Sequence, residues 1–255
     1  MRLRPLLTRA ALAGSLALGT TGMAPAVRPG TTCEPNGSVA IGNYRLENDI
    51  RGETGTGWQC VWDSWHSGAT IAWGASWNWS GPPTSVKSFA ASVLGWHWGG
   101  KSTGTGLPTR LSAARSVKTG WRFQPPPSSG TFDVGYDLLL HDTATPAEAS
   151  PPTGEVMIWL YRSGGARPPG AKVGSATIGG TIWDRYQGTA GWPVHTFVRR
   201  ANTSSATLDL ADFLAHLRGA KKLSPNSYLT GVEAGAQVFQ GSGQLSTDSY
   251  YTKVA

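Results

Sequence analysis

The chain is 255 residues long, carries a formal net charge of +7 and has only 15% charged residues. Its basic residues are scattered, and runs such as Lys221-Lys222 are two long, which excludes the clustered footprint of a nucleic-acid-binding surface. His66, His97, His141, His195 and His216 lie far apart without ligand spacing, which speaks against a metal site.

Arg2, Arg4 and Arg9 precede a weakly apolar run, Ala10 to Leu18, and small residues follow at Ala24-Pro25-Ala26. That order predicts a secretory signal peptide over residues 1–26; the apolar run is too short for the ~20 residues a bilayer crossing needs. No later stretch predicts a membrane span, so the mature chain, residues 27–255, is expected outside the cell as one domain. Three of the positive charges leave with the signal, so the mature chain is nearer +4. Cys33 and Cys60 are the two cysteines, and in an oxidising compartment they are expected to pair.

Short apolar runs then recur between Gly, Pro, Ser and Thr turns. Strands are predicted at Val86 to Leu94, Ser116 to Phe123, Thr131 to Leu140, Glu155 to Tyr161, Val194 to Val198 and Ser227 to Phe239. Gly164 to Gly180, centred on Pro168-Pro169-Gly170, reads as a loop at a cleft rim. The pairs at Gly99 and Gly179 lack a strand–helix unit and are not phosphate loops. Leu210, Phe213, Leu214 and Leu217 recur at helical spacing, with Asp209 as N-cap and Gly219 as C-cap. The pattern predicts an all-β sandwich of two packed antiparallel sheets with one short helix.

Strand alternation sorts the chemistry. In Gly154 to Leu160, residues Val156, Ile158 and Leu160 share a core face, leaving Glu155, Met157 and Trp159 on the other. A carboxylate, a thioether and an indole in a row fit a ligand-binding face better than a wet one. Asp133, Gly135 and Asp137 likewise stand opposite Val134, Tyr136 and Leu138. Near the C-terminus Glu233, Gly235, Gln237 and Phe239 stand opposite Val232, Ala234, Ala236 and Val238. An Asp137 beside Glu155 would push the two carboxyl pKa values apart. Twelve Trp also exceed what a core needs, and an indole suits either packing or stacking on a sugar ring.

Together these residues resemble glycoside hydrolase family 12, secreted retaining endo-β-1,4-glucanases and xyloglucanases with a concave β-jelly-roll fold. The likeness runs from the Cys33–Cys60 pair through Trp77-Asn-Trp-Ser-Gly81, Val86-Lys-Ser-Phe89, Tyr136-Asp-Leu138 and Glu155-Val-Met-Ile-Trp159. It continues through the helix to Gly241-Ser-Gly243. The resemblance implies that Glu155 is the nucleophile, with Asp137 as the carboxylate that tunes it. It places Met157 and Trp159 on the cleft floor, Phe239 on the last cleft strand, and Trp77 and Trp79 on the cleft wall or else in the core.

Two positions depart from the family pattern. Gln237 stands where the family carries its acid/base Glu, with Val238 where Pro is usual. Glu233 shares its face, but about 13 Å along the strand, whereas retention needs carboxyl groups about 5–5.5 Å apart. In Asn48-Asp-Ile-Arg51-Gly52, Arg51 replaces a sugar-stacking Trp, and Arg offers less apolar area to a sugar ring. Three readings follow. The chain is a working β-glucan hydrolase with Glu233 or another group as acid, a hydrolase able to attack only activated glycosides, or a glucan-binding protein that lost turnover. The hydrolase reading is preferred, with a β-glucan as partner, no cofactor, no metal, no nucleic acid, no membrane, and a monomeric state.

Overall fold

The computed structural model describes residues 30–50, 54–98, 100–125, 127 and 130–255. The signal peptide of residues 1–26, Arg51, Gly52 and Gly99 lie outside the described residues.

Strands β1 (Thr31–Thr32), β2 (Gly37–Ile41), β3 (Tyr44–Ile50), β4 (Gly57–Ser67), β5 (Thr70–Trp79) and β6 (Ser88–His97) come first. Short β7 (Gly100–Lys101) and β8 (Thr109–Arg110) precede β9 (Val117–Gln124), β10 (Gly130–His141) and β11 (Gly154–Ser163). Then follow β12 (Ala171–Ile178), β13 (Thr181–Thr189), β14 (Pro193–Arg199), β15 (Ser205–Asp209), helix α1 (Ala211–Gly219) and β16 (Tyr228–Val254).

The long β16 organises the sandwich. Its first half, to Gly241, lies between β6 and β10. Its second half lies between β5 and β9. One layer therefore runs β2-β3-β6-β16-β10-β11-β14-β13-β12 and the other β1-β4-β5-β16-β9-β15, joined through one strand. Gly241, at φ 99°, sits where the chain leaves one layer for the other, a conformation that costs glycine least. The predicted sandwich is present, with two amendments. The ladder is continuous across the layers, and β11 pairs with β14 in parallel rather than antiparallel fashion.

Between the layers lies one apolar core to which Val134, Tyr136, Leu138, Val156, Ile158, Ala234, Ala236 and Val238 all contribute, as alternation predicted. Trp77 packs on Phe132 with ring centroids 5.8 Å apart, and Trp121 on Tyr136 at 5.3 Å, so indoles bridge the layers. Trp77 and Trp79 are thus core residues, 1% and 4% exposed, rather than the cleft wall the resemblance also allowed. Their β5 strand belongs to the layer away from the cleft, and full burial gains more for an indole than a solvated wall does.

Helix α1 starts one residue later than predicted. Asp209 still serves its start, its carboxylate accepting from the backbone of Ala211 and of Val117. Phe213 packs edge-on against Trp183 and Phe197 at 5.0 and 5.1 Å, so the helical stripe is core. The predicted loop to Gly180 is a loop only in its first half. Residues 171–189 form the β12–β13 hairpin, whose turn is Gly179-Gly180, both at positive φ, the chemistry a two-residue turn demands. Cys33 and Cys60 form the expected disulfide.

Candidate active site

On the outer face of the larger layer, three neighbouring strands present the polar residues that alternation singled out. Register places Asp137 of β10 opposite Met157 of β11 on one side and opposite Glu233 of β16 on the other. Asp133 lies opposite Gln237, and Gly135 opposite Gly235. The two glycines let the strands come close: a methyl on Gly235 would meet the Ala90 carbonyl oxygen at 2.2 Å, and one on Gly135 the Ile158 carbonyl oxygen at 2.5 Å.

Glu155 enters the cleft at the start of β11, held from two sides. The indole N–H of Trp192 donates to its Oε2 at 2.7 Å, and its carboxyl is hydrogen-bonded to that of Asp137. Trp192 reaches it because β14 runs parallel to β11 with Val194 beside Glu155. Asp137 in turn accepts a hydrogen bond from Nε2 of Gln237 at 3.1 Å. Burial, then the charges of Glu155, Glu233 and Asp133, hold the Asp137 pKa well above the usual carboxylate range. Asp133 is also raised well above its ordinary value, by burial first and the Glu155 charge second. Asp137 and Asp133 therefore hold their protons more tightly than free carboxyls do, and a protonated Asp137 is a donor towards Glu155.

Glu155 and Gln237 face a common cavity of about 560 Å³ with Met157, Phe239, Val86 and Arg167. Met157, Trp159 and Phe239 form an apolar cluster apart from the main core, together with Val194 and Val198. Trp159 is 1% exposed and sits beneath this floor rather than on it. The rim segment Pro82 to Val86 is held from below by Lys87, whose buried ammonium donates to the carbonyls of Pro82 and Ser85, both at 2.8 Å, and to Ser85 Oγ at 2.6 Å.

A second cavity of about 340 Å³ is lined by Glu47, Asp49, His97, Trp98 and Trp192. The rings of Trp98 and Trp192 lie 5.9 Å apart. His97 Nδ1 pairs with Glu233 Oε1 at 2.6 Å. Burial alone would lower the His97 pKa, but the Glu233 carboxylate, with Glu47 and Asp49, raises it above the ordinary value. Glu233 thus lies beside Asp137 but is committed to His97. It lines neither cavity. Asn48 is also turned inward, its amide donating to the carbonyls of Glu34 and Gln59 at 3.0 Å, so it braces the sheet edge rather than the groove.

Sequence reasoning singled out Glu155, Asp137, Met157, Gln237 and Phe239, and these meet in one place. It missed Trp192, Trp98 and His97. Trp192 and Trp98 follow or precede Gly-containing turns and fall outside regular alternation, so no periodic signal marked them. Trp-Pro at the entry to a strand was the one local hint.

A carboxylate held by an indole N–H and a second carboxyl, beside a cavity lined by two indoles on the outer face of a β-sandwich, fits the class of carbohydrate-cleaving sandwich enzymes. The comparisons narrow that class. The profile of glycosyl hydrolase family 12 matches residues 42–255. The xyloglucan-specific endo-beta-1,4-glucanase A of Aspergillus aculeatus is 37% identical over 220 residues, covering 84% of this chain and 87% of the relative. Its Aspergillus niger namesake is 34% identical over 250 residues, covering 95% and 98%. Among solved structures, the native family 12 xyloglucanase from Bacillus licheniformis superposes with a TM-score of 0.80 at 33% identity, covering 88% of this chain and all of that one. The chain belongs to glycosyl hydrolase family 12 and is a glycoside hydrolase.

Proposed function

We propose that this enzyme is a secreted, endo-acting β-1,4-glucan hydrolase working by a retaining double displacement, with Glu155 as the nucleophile. The observation that carries the reading is the double hold on Glu155. Trp192 keeps one oxygen in place while Asp137 donates towards the group, so the carboxylate is aimed into an open groove. An attack by Glu155 on the anomeric carbon forms a glycosyl ester as the bond to the departing sugar oxygen breaks, and water opens the ester with net retention; with Gln237 in the acid/base place, both steps on a natural glucan are slow. The endo-beta-1,4-glucanase names of the relatives support internal cleavage of a chain. The xyloglucan-specific names of the relatives make xyloglucan the first substrate to try. No cofactor is required by this chemistry. Secretion rests on the leader pattern of residues 1–26, and a monomer suffices because every group named belongs to one chain.

The test is depolymerisation of soluble xyloglucan, mixed-linkage β-glucan and carboxymethylcellulose, followed by viscosity and by new reducing ends. Viscosity is expected to fall well ahead of end formation on the true substrate, with a β-configured first product by proton NMR. Glu155→Ala is expected to lose all of it. An α-configured first product, or full activity in Glu155→Ala, overturns the assignment.

A further inference from the structure

We propose a further activity that rests on the Glu155 reading: the site transfers a glycosyl group from Glu155 to small anionic nucleophiles, taking as donors β-glycosides whose leaving groups depart without a proton. The argument starts from Gln237. In double displacement, the group across from the nucleophile first protonates the departing oxygen and then deprotonates the incoming water. A carboxamide does neither. Here its N–H is already given to Asp137, at 3.1 Å.

Among the described residues, no other carboxyl stands on that wall. Of all the residues lining the 560 Å³ cavity, Glu155 and Arg167 are the sole titratable ones. Glu233 is taken by His97 at 2.6 Å, and Asp133, directly opposite Gln237, is 2% exposed beneath it. Arg167 is exposed on the rim and makes no ion pair among the described residues.

Charge then changes during turnover. In the resting enzyme Glu155 and Arg167 line the same cavity. Once Glu155 is esterified its charge is gone, and Arg167 is left as the one charged side chain among the described residues lining that cavity. An entering anion meets a cationic rim and an amide wall where a carboxylate would otherwise face it. It needs no base, because it arrives with its lone pair free. The anion forms its bond to the anomeric carbon as the carbon–Oε bond breaks; the electron pair returns to Glu155 as carboxylate, and no proton moves. Water, which must lose a proton, finds an amide where the base would stand and opens the ester slowly.

Azide is the probe, with 2,4-dinitrophenyl β-cellobioside as donor. Azide is expected to raise dinitrophenolate release at least tenfold where ester opening limits turnover, and to yield β-cellobiosyl azide by mass spectrometry and NMR. Arg167→Met is expected to raise the azide concentration at half effect several-fold. Gln237→Glu is expected to abolish the azide product while raising xyloglucan cleavage by about 10²–10⁴, the usual worth of general acid–base catalysis. Dinitrophenolate release with no β-azide overturns this inference and leaves Glu155 as nucleophile. An α-azide would mean direct displacement, overturning both. Rapid xyloglucan hydrolysis by the natural chain, indifferent to azide, would show that another group handles the proton and would also overturn it.

Discussion

At Glu155, a single N–H decides how the proposed nucleophile is presented. Trp192 donates at 2.7 Å to a nearly buried carboxylate, and a hydrogen bond to a charged group is worth about 1.5–3 kcal/mol. Trp192→Phe keeps the ring and removes the donor. On an activated cello-oligoside, kcat is expected to fall roughly 10- to 100-fold with KM little changed. Because the N–H favours the charged form, the acid limb of the kcat/KM profile is expected to move to higher pH in the variant. A fall in KM-dependent binding with an unmoved pH profile would instead assign Trp192 to sugar stacking alone. The residue scale is also where reading the sequence fell short. Glu155 and Asp137 were legible because alternation leaves a carboxylate nowhere to go but the cleft face. Trp192, Trp98 and His97 were not, because each comes from a strand end or turn whose direction is set by packing.

The elements around the site are held by buried polar contacts as much as by apolar ones. Lys87 is the clearest case, its ammonium closing three short bonds under the Pro82–Val86 rim. Lys87→Met replaces the stem with one of similar length but leaves the carbonyls of Pro82 and Ser85 without a donor. Stability is expected to fall by about 1–3 kcal/mol, the usual cost of a buried group left unpaired. KM for long glucan chains is expected to rise more than kcat falls, since the rim lines the cavity without touching Glu155. Thermal melts together with chain-length kinetics check both. Val86-Lys-Ser-Phe89 drew attention in the sequence as a motif, yet only the structure explains the lysine. The same scale accounts for the misplaced Trp77 and Trp79. Alternation says that two residues share a face, but it does not say which layer their strand joins. The β5 strand joins the layer remote from the groove.

For the whole molecule, the buried acid–base groups set the pH at which the fold is most stable. Asp133 and Asp137 have folded pKa values raised above their unfolded ones, so between those values the folded chain binds more protons. Stability is therefore gained as pH falls through their folded pKa values and stops rising near the unfolded value of about 4. His97 acts in the same direction. Its raised pKa contributes stability fully present below about 6.5 and lost as pH rises through the folded value. The melting temperature is expected to climb from pH 8 towards pH 5, and Asp137→Asn or Glu233→Gln is expected to flatten the slope. A melting temperature that peaks above neutrality would contradict the assignment. The Cys33–Cys60 link spans 27 residues of sequence, and closing such a loop is worth roughly 3 kcal/mol on the chain-entropy model. Reduction is expected to lower the melting temperature by about 6–12 °C, read by calorimetry with and without reductant.

By itself the sequence determined the fold class, the faces of β10, β11 and β16, the helix, the disulfide and the strand that carries Glu155 into the cleft. These follow from local rules: a strand alternates with period two, and a buried face must be apolar. Tertiary structure decided what depends on register between distant segments. It set Asp137 opposite Glu233 and Asp133 opposite Gln237. It handed Glu233 to His97, a residue 136 positions away. It brought Trp192 over Glu155 through the one parallel pairing in the site. Such pairings arise from how the twisted layers close on one another, and no period within a single strand encodes them.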